Sequence, residues 1–483
     1  MHKTLFPAII TWFFIMSLIC GCQLLSSNQG DKKPNVIFIV VDDLGWTDLG
    51  CYGSTFHETQ NLDKLASHGV RFTNAYAASP VCSPTRAALL TGKYPSRVNI
   101  TDWIPGLDPK DKPLLGPQDV SELDLKEKTL AESMQQHGYK TFFAGKWHLG
   151  SEGYFPEHQG FEINKGGHHM GQPPSGYYAP YKNPKLEDGP DGEYLTDRLT
   201  DESIAFMEEN KDNPFFLYLA FYTVHTPIEA CVKHADYYQN KLASATPNEP
   251  IQKQEHDALT VQNQVNPAYA SMVHSMDENV GRLLNRMEDL GLKENTIIVF
   301  TSDNGGLTTL RDHPAPTSVL PLRGGKGWCY EGGIRVPLII QYPGLRNDSI
   351  SNIPVISMDL FPTILDLAGL PLLPDQHQDG ISLKQHLLEG KPPTRDVLYW
   401  HFPHYHGSLW KPGAAIRKGD WKLIKFYHYD KVELYNLKND IAEQFDISND
   451  YPEKVTELEL LLTSMQKETN ATLPVLNPDF TKD

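Results

Sequence analysis

Cysteine is scarce in this chain. Cys20, Cys22, Cys51, Cys82, Cys231 and Cys329 are the six among 483 residues, with no CxxC pair and no spacing to histidine that suits zinc. A disulfide framework and a zinc finger are thereby excluded. Positive charge is also short: 43 Lys and Arg face 60 Asp and Glu, a formal charge of -17, and no basic run is long enough to form an arm. Nucleic acid is excluded as a partner on that balance. An anionic ligand would have to find a local cluster of Lys, Arg, His or metal, because the overall field repels it. No internal repeat stands out, and no apolar run gives a comfortable transmembrane span. What remains is an ordinary globular composition, 40% hydrophobic and 21% charged.

The amino terminus starts with Lys3 and then runs apolar from Leu5 to Cys20, interrupted only by Thr11 and Ser17. That is the charged start and apolar middle of a signal peptide, residues 1–22. Its end, Leu18-Ile19-Cys20-Gly21-Cys22, resembles the lipobox of bacterial lipoproteins, which implies cleavage before Cys22 and lipidation of its thiol. The expected location is outside the cytoplasm, anchored to a bacterial membrane through lipid alone. Residues 23–34 are polar and aperiodic, as suits a tether.

Four later segments share one design, a short continuous apolar run that stops abruptly in charged or imidazole residues. They are Asn35 to Val41 before Asp42-Asp43, Tyr139 to Ala144 before Lys146 and His148, Pro214 to Val224 before His225, and Thr296 to Phe300 before Asp303-Asn304. Apolar runs without alternation fit strands buried on both faces, the pattern of a parallel sheet covered by helices. Ligands bind at the carboxyl ends of such strands, so these polar stops are expected along one edge. Helical candidates lie between the strands, among them Gln60 to His68, Leu130 to His137 and Ala268 to Leu290. The expected fold is α/β, with a large, mostly parallel central sheet flanked by helices. From about Arg395 the pattern changes to short strands (Ala415–Arg417, Trp421–Phe426, Glu433–Asn436) and one amphipathic helix from Pro452 to Lys467. This predicts a smaller C-terminal α+β unit of antiparallel sheet and helix.

Residues 82 to 92 read Cys-Ser-Pro-Thr-Arg-Ala-Ala-Leu-Leu-Thr-Gly. Ser83 as N-cap, Pro84 at N1 and Gly92 at the end predict a helix with Cys82 at its amino terminus, where unpaired N–H groups favour an anion. Arg86, one turn on, offers a planar fork for oxyanions at the same spot. For an arbitrary cysteine, a buried side chain ahead of an amphipathic helix is the better reading of these residues alone.

Cys82-x-Pro84-x-Arg86 followed by Leu90-Thr91-Gly92 resembles the signature of the type I, formylglycine-dependent sulfatases of the alkaline phosphatase superfamily, in which this cysteine is oxidised to an aldehyde. A cysteine phosphatase would need Arg six positions after its Cys, where Ala88 stands. Further blocks carry the resemblance from about Pro34 to the last helix. Asp42-Asp43 and Asp303-Asn304 are similar to the family's calcium ligands, together with position 82 as formylglycine. Gly145-Lys146-Trp147-His148-Leu149-Gly150 and Arg323-Gly324-Gly325-Lys326-Gly327 resemble its two lysine blocks, and His225 its strand-end histidine.

The resemblance implies a catalytic domain over 35–390, a C-terminal subdomain over 391–483, and hydrolysis of sulfate esters by a formylglycine hydrate beside one calcium ion. Oxygen donors without sulfur suit calcium or magnesium and disfavour zinc. Implied roles are sulfate and hydrate contact for Arg86 and Lys146, proton removal by His148, and leaving-group contact for His225 and Lys326. Asp303 would both bind metal and accept a proton from the attacking hydroxyl. Implied partners are a formylglycine-generating maturation enzyme and a sulfated carbohydrate such as ulvan, carrageenan or glycosaminoglycan fragments. The runners-up are a phosphodiesterase or phosphonate hydrolase of the same mechanism and a dead, lipid-anchored glycan-binding protein. His168 and His169, in a Gly/Pro/Tyr-rich stretch from Asn164 to Pro184, are expected in a loop over the pocket and are candidate substrate contacts. His404, from His401-Phe-Pro-His404-Tyr-His406, is a third, in a loop or edge strand.

Overall fold

Seven consecutive buried residues, Asn35–Val41, form the central strand β1 of a computed structural model that describes residues 1–2, 32–107, 109–345 and 348–480. The leader, Cys20, Cys22 and most of the tether lie outside the described residues. Lys33–Asp483 is one compact unit. Val36, Phe38 and Val40 enter one apolar core while Ile37, Ile39 and Val41 enter another. The lack of alternation in β1 follows, since both faces of the strand are covered.

The other strands of this sheet are β2 (Val70–Phe72), β3 (Lys140–Gly145), β4 (Ile163–Lys165), β5 (Phe215–Phe221), β6 (Thr296–Ser302), β7 (Leu338–Gln341) and β8 (Ser349–Ser351). Their order is β8-β2-β7-β6-β1-β5-β3-β4, and β7 alone among them is antiparallel to its neighbours. The four strands whose carboxyl ends carry the polar stops are therefore adjacent: β6, β1, β5 and β3. Helices α1 (Gln60–Ser67), α2 (Cys82–Thr91), α3 (Leu130–Gln136), α4 (Leu195–Glu209), α5 (Val232–Ala243), α6 (Pro267–Asp289) and α7 (Leu360–Leu367) surround the sheet. α2, α3 and α7 supply one core; α1, α4 and α6 supply the other.

Beyond these, β9 (Val397–Phe402), β10 (Gly413–Lys418), β11 (Trp421–Phe426) and β12 (Lys431–Asn436) form an antiparallel sheet in sequential order, packed by α8 (Pro452–Glu468). β9 is an edge strand that the pattern after Arg395 did not resolve as a strand of its own. Its first histidine, His401, lies in the strand, and His404 and His406 lie in the loop beyond it.

Candidate active site

The strand ends are tied side by side through the backbone. Asp42 N–H donates to Thr223 O (3.1 Å) and Asp303 N–H to Val41 O (3.2 Å), and Lys146 N–H donates to Ala220 O (2.9 Å). The ladder thus fixes Asp42, Asp303 and Lys146 relative to one another before any side chain contributes. Asp43 and His148 follow in left-handed backbone, φ 61° and 58°.

α2 runs from Cys82, with Val81 rather than Ser83 as its N-cap residue. Ser83 does not cap the helix; its hydroxyl donates to His148 O (2.9 Å) and accepts from Ile104 N–H (3.1 Å). A long-range duty has replaced the local one. Every residue of α2 is buried, and Gly92, at φ 70°, ends it.

Arg86 Nε donates to Asp303 Oδ2 (2.9 Å) and Nη1 to Lys146 O (2.7 Å). Lys146 Nζ donates to Asp42 Oδ2 (2.7 Å), Lys326 Nζ lies 2.7 Å from Asp43 Oδ1, and Asn304 Nδ2 donates to the same Oδ1 (2.8 Å). The Cys82 thiol faces Asp42 Oδ1 at 3.6 Å, and His225 Nε2 is 3.8 Å from Asp43 Oδ2. The structure thus brings Asp42, Asp43, Cys82, Arg86, Lys146, His225, Asp303, Asn304 and Lys326 into one constellation, largely closed to solvent.

Burial pushes Asp42 up to about 7, with Asp303 and Asp43 adding to the shift and Lys146 opposing it. Burial would push Asp43 up as well, but Lys326, His225 and Lys146 hold it well below the usual carboxylate range. The Cys82 thiol is raised by burial to about 12 despite its place at a helix terminus. Burial opposes the charge on Lys326, and Asp43 outweighs it and strengthens the ammonium. His148 is lowered well below its ordinary value by burial and then by Lys146, and His225 by burial and then by Lys326.

Two neutral imidazoles can be given a tautomer, assigned here from their partners. His148 Nε2 meets Ile104 O, and a carbonyl only accepts, so Nε2 carries the proton and Nδ1, buried without a partner, keeps its lone pair. His225 Nδ1 meets Thr226 O at 2.7 Å, so its proton sits there and Nε2 is bare.

The loop bearing Lys326 is held by close backbone packing. A Cβ on Gly305 would fall 1.9 Å from Gly332 O, so glycine at 305 is a condition of this approach. Lys326 N–H donates to Gly306 O (2.8 Å). Above the site is a pocket of about 520 Å³ lined by Cys82, His148, His225, Lys326, His406 and Gly171, among others. A Cβ on Gly171 would fall 2.4 Å from the His148 ring. Gly171→Ala is therefore expected to shift that buried imidazole and to lower kcat/KM on the order of 10²-fold, with a melting temperature near wild type. Steady-state kinetics beside a thermal melt checks it; an unchanged kcat/KM would show that the ring's position does not matter.

The candidate substrate contacts divide. His169 is exposed and lines the pocket, as expected of a loop over it. His168 does not; it is fully buried and accepts from Met170 N–H (3.2 Å). His404 sits against Thr101 and Asp119 and lines a neighbouring depression instead. The histidine of this segment that enters the pocket is His406, whereas sequence reasoning singled out His404. Its Nδ1 accepts from Ser408 N–H (3.1 Å), which leaves Nε2 as a donor. Burial and Lys326 push it down to about 3. Three histidines in six residues carried no signal of which one the turn after β9 would direct inward.

The residues fit a hard divalent cation. Asn304 Oδ1 is buried without a partner, beside Asp43, whose carboxylate lies within 4.8 Å of the Asp42 carboxylate, the Cys82 thiol and the His225 ring. Three cationic side chains, Arg86, Lys146 and Lys326, only balance three carboxylates, so a further cation would give the net positive field an anionic ligand needs. A second group, His234, His274 and Glu278, lies between α5 and α6. Its rings are stacked 4.0 Å apart, and Glu278 is engaged by Lys233 (2.6 Å) and His234 (2.9 Å).

Comparison with known proteins gives concordant matches. The Sulfatase family model matches residues 34–370, and the model for N-sulphoglucosamine sulphohydrolase, C-terminal, matches residues 325–470. A protein named sulfatase from Formosa agariphila is 32% identical, with 92% of this chain and 90% of that protein covered. The N-acetylglucosamine-6-O-sulfatase of Bacteroides thetaiotaomicron is 30% identical, with 90% and 87% covered. The crystal structure of Ps i-CgsB in complex with k-i-k-neocarrahexaose superposes with a TM-score of 0.73 at 30% identity, covering 94% of this chain and 95% of that one.

Proposed function

The chain belongs to the sulfatase family of sulfuric ester hydrolases, and from that premise we propose that it desulfates a polysaccharide or its oligosaccharides, with formylglycine at position 82 and calcium held by Asp42, Asp43, Asp303 and Asn304. The observation that carries the reading is the convergence of Cys82, at the head of a buried helix, with three cations, three carboxylates and two neutral histidines at one sheet edge. The relative named N-acetylglucosamine-6-O-sulfatase, and the neighbour in complex with k-i-k-neocarrahexaose, support a carbohydrate substrate.

When present, the aldehyde hydrate supplies a pair of hydroxyls on one carbon, and the cation withdraws charge from the oxygens around it. Arg86, fixed by Asp303 and Lys146 O, and the ammonium groups of Lys146 and Lys326 neutralise the transferring sulfate. Asp303 is the acceptor for the proton of the attacking hydroxyl. His148, with Nδ1 unprotonated and its ring fixed through Nε2, would serve as the base toward a hydroxyl held at position 82. Lys326, kept cationic by Asp43, is the group that stabilises charge on the leaving oxygen. His225, neutral with a bare Nε2, stands beside it to orient a sugar hydroxyl.

The test is expression with a formylglycine-generating enzyme, the mass of the peptide containing position 82, and release of sulfate against phosphate from matched aryl esters. The expected result is aldehyde at position 82, sulfate released in preference, and loss of both activity and thermal stability on chelation, restored by calcium. Faster phosphate release would favour the phosphonate or phosphodiester hydrolase reading. Glycan binding without turnover by aldehyde-bearing protein would favour the binding-protein reading. Export through residues 1–22 and lipidation of Cys22 form part of the proposal, on the sequence alone, and the mass of the mature amino-terminal peptide tests them.

A further inference from the structure

A second depression, of about 430 Å³, adjoins the Cys82 pocket and shares Trp103, Ile104, Pro105 and Ser121 with it. The two differ in charge. The pocket at Cys82 holds Lys326 and four histidines, whereas the second, among the described residues, is lined by no Lys or Arg and by two carboxylates, Asp102 and Asp119.

Those carboxylates are fixed in place. Asp119 accepts from Thr101 N–H (2.8 Å), Thr101 Oγ1 (2.7 Å) and Asp102 N–H (2.6 Å); Asp102 accepts from Trp103 N–H (2.8 Å) and Leu107 N–H (3.1 Å). His404 lies between them, with Nε2 3.6 Å from Asp119 Oδ2 and Nδ1 3.9 Å from Asp102 Oδ2. Burial raises both carboxyl groups, Asp102 to about 8. The wall offers hydrogen bonds, and its one group able to carry positive charge, His404, is enclosed between the two carboxyl groups. Leu107 and Val120, 43% and 40% exposed, add apolar surface, and half-buried Trp103 forms part of the ridge between the two depressions. Fixed carboxyl oxygens beside apolar and aromatic surface suit the hydroxyls and C–H face of a neutral sugar. A sulfate placed there would meet two carboxyl groups and no Lys or Arg to compensate it.

We propose that this depression is the subsite for the sugar next to the sulfated one, and that it selects a neutral sugar against one bearing its own sulfate. The proposal rests on the carbohydrate-sulfatase reading and deepens it. The enzyme then acts on a chain of at least two sugars and prefers those sulfated on one sugar of the pair. Selection arises from the lack of a compensating Lys or Arg in one subsite as much as from attraction in the other.

The experiment uses aldehyde-bearing, calcium-loaded protein and size-matched carrageenan, chondroitin and heparin oligosaccharides, each prepared with the neighbouring sugar sulfated and unsulfated. Each kcat/KM is divided by the same protein's value on p-nitrophenyl sulfate, which has no neighbouring sugar. For any backbone that is turned over, the unsulfated neighbour is expected to be preferred by about tenfold or more, chiefly through KM. Gln118→Lys and Val120→Lys, at exposed positions of this depression, are expected to shrink that ratio severalfold. Equal handling of the two neighbours, preference for the sulfated one, or a ratio unmoved by both lysines would overturn the subsite. Sulfate release from p-nitrophenyl sulfate with no discrimination would remove this proposal alone. No release from any probe would remove the sulfatase reading and this one with it.

Discussion

Replacing Cys82 with alanine is expected to leave a folded chain that releases no measurable sulfate. The fold should survive because alanine is the best helix former and the change removes one sulfur from the first position of α2. The recorded side-chain partner of that sulfur is Asp42 Oδ1 at 3.6 Å, while Asp42 keeps its 2.7 Å pair with Lys146. Activity should fall by roughly 10⁴-fold or more, about 5 kcal/mol of transition-state stabilisation, because the covalent route is lost and only electrostatic binding of the ester remains. Cys82→Ser, which supplies one hydroxyl and cannot present two on one carbon, is expected to be as inactive over many turnovers while still binding substrate. Sulfate assays with calorimetric binding separate the two effects. Turnover by Cys82→Ala above a hundredth of wild type would mean that the nucleophile is elsewhere. Loss of binding by Cys82→Ser would mean that the hydrate is needed for affinity as well.

How much of this site could be read from the chain depended on the range of each interaction. Asp42, Lys146, His225 and Asp303 each follow an apolar run, and the strand order β6-β1-β5-β3 places those runs side by side. Arg86 is one helical turn from Cys82, so its direction followed from local geometry. Ser83 was misread as a cap because its true partner, His148 O, is 65 positions away. His406 was missed because its position depends on the turn after β9, where His406 O accepts from Leu409 N–H (2.9 Å), and on packing against Gly327, whose Cβ would fall 2.1 Å from His406 Nδ1. The partition between the two depressions was invisible for the same reason. It depends on Asp119 gathering Thr101 and Asp102 from 18 and 17 residues away.

The second large effect is expected outside the Cys82 constellation, at Lys422 of β11. This side chain is fully buried, with Nζ 2.9 Å from Glu331 Oε1 and 2.8 Å from Glu443 Oε1. Glu331 is also held by Arg335 (2.6 Å) and by the Tyr76 hydroxyl (2.8 Å), and Glu443 accepts from Glu331 N–H (2.6 Å). Glu331 opens the turn whose Gly332 N–H donates to Arg323 O (2.8 Å), three residues before Lys326. The C-terminal sheet is thereby pinned to the loop that carries Lys326. Lys422→Met keeps the apolar stem beside the Trp400 ring but leaves two buried carboxylates without their shared cation, which costs about 3–5 kcal/mol. The pH dependence gives the mechanism a sign. Burial raises Glu443 from 4.5 to about 7, so the folded chain binds its proton more tightly than the unfolded one, and this group's contribution to stability falls as pH climbs from 4.5 to 7. Glu331 is opposite: Lys422 and Arg335 outweigh burial and hold it below its ordinary value, so its contribution is present above 4.5 and lost on acidification. Removing Lys422 raises both carboxyl groups, and the stability lost between pH 5 and pH 8 grows. The variant should therefore melt closer to wild type at pH 5 than at pH 8, as calorimetry at the two values would read. A deficit equal at both, or larger at pH 5, would show that Lys422 acts through packing rather than charge.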